Sequence, residues 1–213
     1  MNGPRPVILP PFTPSELLQH LVAHTTYPTT VVIAWHREEF VNALAEDIGL
    51  HGDEGGHPLL KTSLFQTSVS RHLNIVFTPT VTHLRVFLGT FTLSDIRVRA
   101  PPSQANLSRK PAMLMVYGML ELHRDGTEWS AQGLGTSAAM LVEGALRDGF
   151  RAVMTEPRKM QDADDELEQS LRQHLPVLKG TPVKENGSWG GPTVAVSQVL
   201  GTWFGREASQ QNS

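Results

Sequence analysis

Four apolar runs, each set beside helix-patterned sequence, restrict this chain to one architectural class. They are Thr30-Val31-Val32-Ile33-Ala34-Trp35, Leu73-Asn74-Ile75-Val76-Phe77, Met113-Leu114-Met115-Val116-Tyr117 and Arg151-Ala152-Val153-Met154-Thr155. A strand with one wet face alternates apolar and polar residues. A run that stays apolar from position to position is a strand covered on both faces, as in a parallel sheet. The intervening segments carry the helical period. Arg37 to Ile48 sets Phe40, Val41, Leu44 and Ile48 on one stripe and stops at Gly49. Thr82 to Phe91 repeats the spacing through Leu84, Phe87, Leu88 and Phe91. The clearest helix, Leu134 to Arg147, carries Leu134, Ala138, Leu141, Val142 and Ala145 and stops at Gly149. Glycine suits such stops because it adopts the left-handed conformation without a Cβ clash. The expected fold class is α/β: a mainly parallel sheet flanked by helices, with right-handed crossovers.

The margins are read from turn chemistry. Prolines at 4, 6, 10, 11 and 14 argue against any regular element before residue 14. Thr13-Pro14 pairs a capping hydroxyl with a first-turn proline, so a helix with Leu17, Leu18, Leu21 and Val22 on its stripe is expected there. A weaker helix is expected over Leu59 to Arg71 and a short acidic one over Asp164 to His174. His123 to Gly133 reads as a loop. Thr193 to Phe204 reads as a closing antiparallel strand pair or hairpin around Gly201, added to the sheet edge. The expected organisation is a disordered segment over 1–13, one domain over 14–206 and a disordered polar tail over 207–213. A chain of 213 residues can bury a hydrophobic core without covalent staples.

Composition excludes some chemistry. There is no cysteine, hence no disulfide, thiolate ligand or thiol nucleophile. No apolar run reaches the roughly 18 residues that span a bilayer, and Val7-Ile8-Leu9 is too short for a secretory signal core. A nuclear or cytoplasmic location without membrane contact is expected. The net charge of −3 provides no general attraction for nucleic acid. It is unevenly spread. Arg85, Arg97, Arg99, Arg109 and Lys110 face only Asp95 over residues 85 to 110, and Asp162, Asp164, Asp165, Glu166 and Glu168 form an acidic run. Arg97, Arg99, Arg109 and Lys110 are the candidate nucleic-acid contacts, because phosphate binding needs only sparse cations on a loop; loops are also charged for solubility alone. The acidic run reads as a solvated helix start, where negative charge is favourable.

A phosphate loop reads G-x-x-x-x-G-K-[ST]. The turn after the first apolar run reads Trp35-His36-Arg37-Glu38-Glu39-Phe40, with no glycine or lysine and two carboxylates. No Rossmann glycine fingerprint is present. The third run ends at Gly118 without an acid for a metal ion; Glu121 is a late substitute or a solvated residue. Gly133, Gly135 and Thr136 open a strong helix and are candidates for binding an anion through backbone amides; the plain alternative is a capped N-terminus served by Ser130 or Thr136. Ser137 within Gly135-Thr136-Ser137-Ala138-Ala139 faintly matches a nucleophile elbow, with His123 as its base, but no apolar strand precedes it. His20 and His24 share a helix face without a third ligand, so no metal is expected. No residue is marked as catalytic and no cofactor is expected.

The layout resembles the RecA-like ATPase core: a strand-helix start, buried central strands and a late hairpin. Without a phosphate loop it is similar to the non-hydrolysing members of that group, namely subunits of Shu-type recombination complexes, other recombinase paralogues and the RecA-like subunits of Elongator. Thr30 to Ile48, Met113 to Glu121, Gly133 to Glu156 and Val194 to Phe204 carry the resemblance. It implies a non-catalytic interaction subunit of an intracellular complex in DNA recombination or repair. Its partner would be another protein, a second RecA-like chain being one candidate and DNA a further one. Val199, Leu200, Trp203 and Phe204 are the interface candidates, with closure of the chain's own core as the plain alternative. Two other classes stay open. One is an α/β transferase or hydrolase with a pocket at the strand C-termini, lined by residues such as His36, Thr78, Tyr117, Glu121 and Glu156. The other is a nucleic-acid binder using the 97–110 loop.

Overall fold

The computed structural model describes residues 4–23, 28–50, 56–61, 63–93, 111–158, 163–178 and 191–206. In chain order the elements are β1 (Val7–Ile8), α1 (Pro14–Ala23), β2 (Thr29–Ile33), α2 (Arg37–Leu50), a 3₁₀ turn (Pro58–Leu60), α3 (Leu64–Ser70), β3 (Leu73–Phe77), α4 (Val81–Thr90), β4 (Met113–Tyr117), α5 (Met119–Arg124), α6 (Ala131–Arg147), β5 (Arg151–Thr155), α7 (Ala163–Arg172), β6 (His174–Pro176), β7 (Thr193–Ala195), α8 (Val196–Gly201) and β8 (Gly205–Arg206).

Six strands form one sheet in the order β3-β2-β4-β5-β1-β8, and each neighbouring pair is parallel. The four apolar runs are adjacent in it, with Val31 opposite both Ile75 and Met115, and Met115 opposite Val153. Their continuous hydrophobicity follows from coverage on both faces. Val32, Leu114, Val116, Ala152 and Met154 pack on one side with Leu84, Leu88, Leu134, Ala138 and Leu141 of α4 and α6. Val31, Ile33, Met113, Met115, Tyr117 and Val153 pack on the other with Leu17, Leu21 and Phe40 of α1 and α2. Neighbouring positions along each strand thus fall into opposite cores, as the twofold period of a strand requires.

Several expectations are corrected. A regular element does precede residue 14: Val7–Ile8 lies inside the sheet between β5 and β8. The prolines flank this strand rather than interrupt it, since Pro6 comes before it and Pro10 after it. The closing segment is not a hairpin around Gly201. Val196–Gly201 is helical, and the antiparallel pair is β6 with β7, apart from the main sheet. The edge strand β8 runs parallel. Strand β3 is half-buried rather than fully buried, because it forms the other edge. The stretch read as a loop from His123 is preceded by and partly absorbed into α5. Thr13 does open α1: its N–H donates to Glu16 Oε2 at 2.9 Å, and Glu16 N–H returns a long bond to Thr13 Oγ1 at 3.4 Å, a reciprocal cap.

Candidate functional site

The turn that matters most for phosphate chemistry lies earlier than the sequence indicated. With β1 in the sheet, the first strand-turn-helix unit is β1 to α1, and its turn is Leu9-Pro10-Pro11-Phe12-Thr13. It too lacks glycine and lysine. Its donors are spent. Leu9 N–H donates to Met154 O at 2.9 Å and Phe12 N–H to Glu156 O at 3.1 Å. Thr13 N–H goes to Glu16, and Ser15 N–H to the buried carboxylate of Asp47 at 2.8 Å. Pro10, Pro11 and Pro14 have none to give. From Leu9 to Glu16 each backbone nitrogen is a proline's or is held by an acceptor within the chain, two of those acceptors being carboxylates.

A cleft of about 750 Å³ opens at the C-terminal end of the sheet. The chain leaves β2 toward β3 on one side and leaves β4 toward β5 on the other. Diverging connections hold neighbouring strand ends apart, and open α/β sheets bind ligands in the resulting crevice. Ala34, Trp35 and His36 after β2, Pro79 to Thr82 after β3, and Glu121, Leu122 and Asp125 to Glu128 after β4 line this one. Trp35 is its fixed wall. The indole Nε1–H donates to Glu121 Oε2 at 2.8 Å, and the ring meets Tyr117 and Phe40 edge-on at centroid distances of 5.6 and 6.1 Å. Gly118, at φ +86°, makes the turn from β4 into α5 beside that ring, a conformation that a Cβ would strain. Glu39, Glu121, Asp125 and Glu128 bring carboxylates to the cleft, and among the described residues no lysine or arginine lines it.

Behind the cleft a partly buried polar network joins three helices. Arg85 of α4 donates to Glu128 Oε2 at 3.1 Å, to Gly133 O at 2.9 Å and, through Nε, to Ser137 Oγ at 3.1 Å. His123 Nδ1 lies 2.8 Å from Met119 O and Nε2 lies 3.0 Å from Ser137 Oγ. A carbonyl only accepts, so Nδ1 carries the proton and Ser137 donates its hydroxyl proton to Nε2. The serine–histidine pair considered from sequence is therefore real as geometry. Both side chains are completely buried, however, and no substrate reaches them. Burial, with Arg85 adding to it, lowers the His123 pKa. The ring stays neutral and locks α5 onto α6.

Glu156, just past β5, is a second buried group that sequence reasoning placed in a pocket. Its Oε1 accepts from Leu120 N–H at 2.9 Å, and its Oε2 faces Glu121 N–H at 3.5 Å. Gly118 has no side chain to cap α5, and Glu156 does this from another strand. Burial pushes its carboxyl up to about 8, against the pull of the two amides. It borders a hollow of about 40 Å³ with Glu121, Arg124 and Ser170, not the large cleft. Tyr117 donates to Phe12 O at 3.0 Å, and burial, then Glu156, holds its phenol well above the ordinary range. Of the five pocket residues expected for an enzyme, only His36 and Glu121 line the cleft.

The other candidates are scattered. Gly133 N–H donates to Ser130 Oγ at 3.0 Å, so a side chain, not an anion, takes the amide that opens α6. A Cβ at Gly133 would lie 2.3 Å from Glu128 O, so glycine serves close packing there. Gly135 lies one turn in, and Thr136 Oγ1 donates back to Gln132 O at 2.8 Å. Arg97, Arg99, Arg109 and Lys110 lie outside the described residues. His20 stacks on Phe12 at 4.8 Å, and His24 is outside the described residues. Among those residues no group of three or more metal-binding side chains converges, and no helix is long and apolar enough to cross a membrane.

The interface candidates divide. Leu200 and Phe204 belong to the core, while Val199 and Trp203 are half-buried against it. Trp203→Ala is expected to lower stability by roughly 2 kcal/mol, less than the 3–5 typical of a fully buried aromatic, as read by chemical denaturation. A loss above about 4 would make Trp203 ordinary core. No family model and no curated protein matches the chain.

Proposed function

We propose that this chain is a non-catalytic, RecA-like interaction subunit of an intracellular complex in DNA recombination or repair, and that it works by binding another protein. The observation that supports this reading is the β1–α1 turn. A nucleoside triphosphate needs free amides, a lysine or a glycine-rich nest at such a turn. Here the amides are already bonded within the chain, and Glu16 and Asp47 stand among their acceptors. The acidic lining of the β2/β4 crevice points the same way, because carboxylates repel phosphates.

Purified protein is expected neither to bind nor to turn over magnesium ATP, measured by calorimetry and phosphate release, and to recover a specific protein from cells in affinity purification with mass spectrometry. Magnesium-dependent ATP turnover lost on mutation of the Leu9-to-Glu16 turn would overturn the reading.

A further inference from the structure

We infer that the β2/β4 crevice receives an arginine side chain from a partner protein. The inference rests on the interaction-subunit reading and names the chemistry of the contact. Two independent observations support it. The first is shape: a cleft of about 750 Å³ at the switch point, large enough for a side chain and its flanking backbone. The second is its wall. Trp35 is half-exposed, and its ring is fixed by the Glu121 hydrogen bond and by Tyr117 and Phe40. A rigid indole is a preferred surface for a guanidinium, which stacks flat on it. Glu39 and Asp125, both exposed at the rim, add negative charge that Arg85 does not neutralise as it does Glu128.

Next to the cleft, outside its lining, lies a buried hydroxyl with no hydrogen-bond partner among the described residues. Thr78 is 3% exposed, and its Oγ1 has no hydrogen bond. Thr78 N–H donates to Ile33 O, which seats it one step beyond the Ile33–Phe77 pair of the sheet. By strand alternation it shares its face with Ala34; Ala34 lines the cleft, and Thr78 lies behind that lining. An orphaned buried hydroxyl is costly and uncommon. An ammonium would meet the same charges, but a planar guanidinium alone combines stacking on Trp35 with several directed donors.

The test uses the full chain and a blocked tripeptide, acetyl-Ala-Arg-Ala-amide, with its citrulline and lysine analogues as controls. The Trp35 indole N–H resonance, assigned by its loss in Trp35→Phe, is followed during titration. The arginine peptide is expected to shift it saturably, with lysine weaker and the neutral citrulline at least about tenfold weaker. The double variant Glu39→Gln/Asp125→Asn changes only exposed side chains, so it keeps the fold. It is expected to bind the arginine peptide about fivefold more weakly, the effect of two partly exposed charge contacts. Equal binding of arginine and citrulline peptides, an unaltered affinity in the double variant, or a stronger response to ATP would each overturn the inference. Partner recovery from cells is measured in parallel. Recovery by wild type and double variant alike overturns the arginine contact and leaves the interaction reading standing. Recovery by neither overturns that reading itself.

Discussion

Leu114→Asp is expected to abolish folding. Leu114 is fully buried in β4, between Thr30 of β2 and Ala152 of β5 in register, and belongs to the core under α4 and α6. Removing it forfeits about 2–3 kcal/mol of apolar burial. The incoming carboxylate has no cation within this core to meet, and burying an unpaired charge costs several kcal/mol more. Together these losses approach the whole stability of a domain, roughly 5–15 kcal/mol. The expected observation is insoluble expression or a circular dichroism melt without a cooperative transition. Leu146→Asp is the control. Leu146 lies on α6 at 42% exposure, and its substitution is expected to change stability by less than about 1 kcal/mol. A cooperative melt for Leu114→Asp at the wild-type temperature would refute the sheet.

Glu156→Gln is expected to stabilise the protein, and increasingly so as pH rises. The folded carboxyl titrates near 8 and the unfolded one near the ordinary 4.3, so between these values the folded state holds a proton that the unfolded state has lost. The stabilisation carried by the neutral acid is complete below the unfolded value and is lost as pH rises through about 8. His123 acts in the opposite direction. Its lowered pKa makes neutrality an advantage above about 6.5 that is lost on acidification. The pH 7–9 window therefore isolates Glu156. Wild type is expected to melt at falling temperature across it, while Glu156→Gln stays flat. Glutamine keeps an acceptor for Leu120 N–H and never ionises. At pH 9 the variant is expected to be more stable by up to roughly 5 kcal/mol, at about 1.4 kcal/mol per unit of the displacement from about 4.3 to about 8, or roughly 10–20 °C. A variant less stable than wild type at pH 9 would show that the carboxylate is the better cap and that burial does not dominate.

The helices and central strands were legible because each is set by a local pattern. Phe40 and Leu44, or Leu134, Ala138 and Leu141, reveal a buried stripe by spacing alone, and Val31 to Ile33 reveal two-sided burial by the absence of alternation. Val7–Ile8 was not legible. Two residues between prolines carry no period, and their strand exists because β5 and β8 offer hydrogen bonds on either side. The helix at Val196–Gly201 was misread for a related reason: a short apolar run fits a strand or a helix equally, and packing against α6 decided it.

The site divides in the same way. Sequence alone determined that no glycine-lysine phosphate loop is present, since a missing motif needs no coordinates to establish; which turn opens the first strand-turn-helix unit took the structure. Sequence determined too that the chain builds a parallel sheet covered on both faces. Only the tertiary structure decided which polar groups meet. Trp35 bonds Glu121 across 86 residues of chain, His123 finds Ser137 beside Arg85, Glu156 caps α5 from another strand, and Glu39, Glu121 and Asp125 converge on one crevice. Hydrophobic period is a property of neighbours along the chain. A polar contact is set by direction and distance between elements that the order of strands brings together, and nothing local encodes that order.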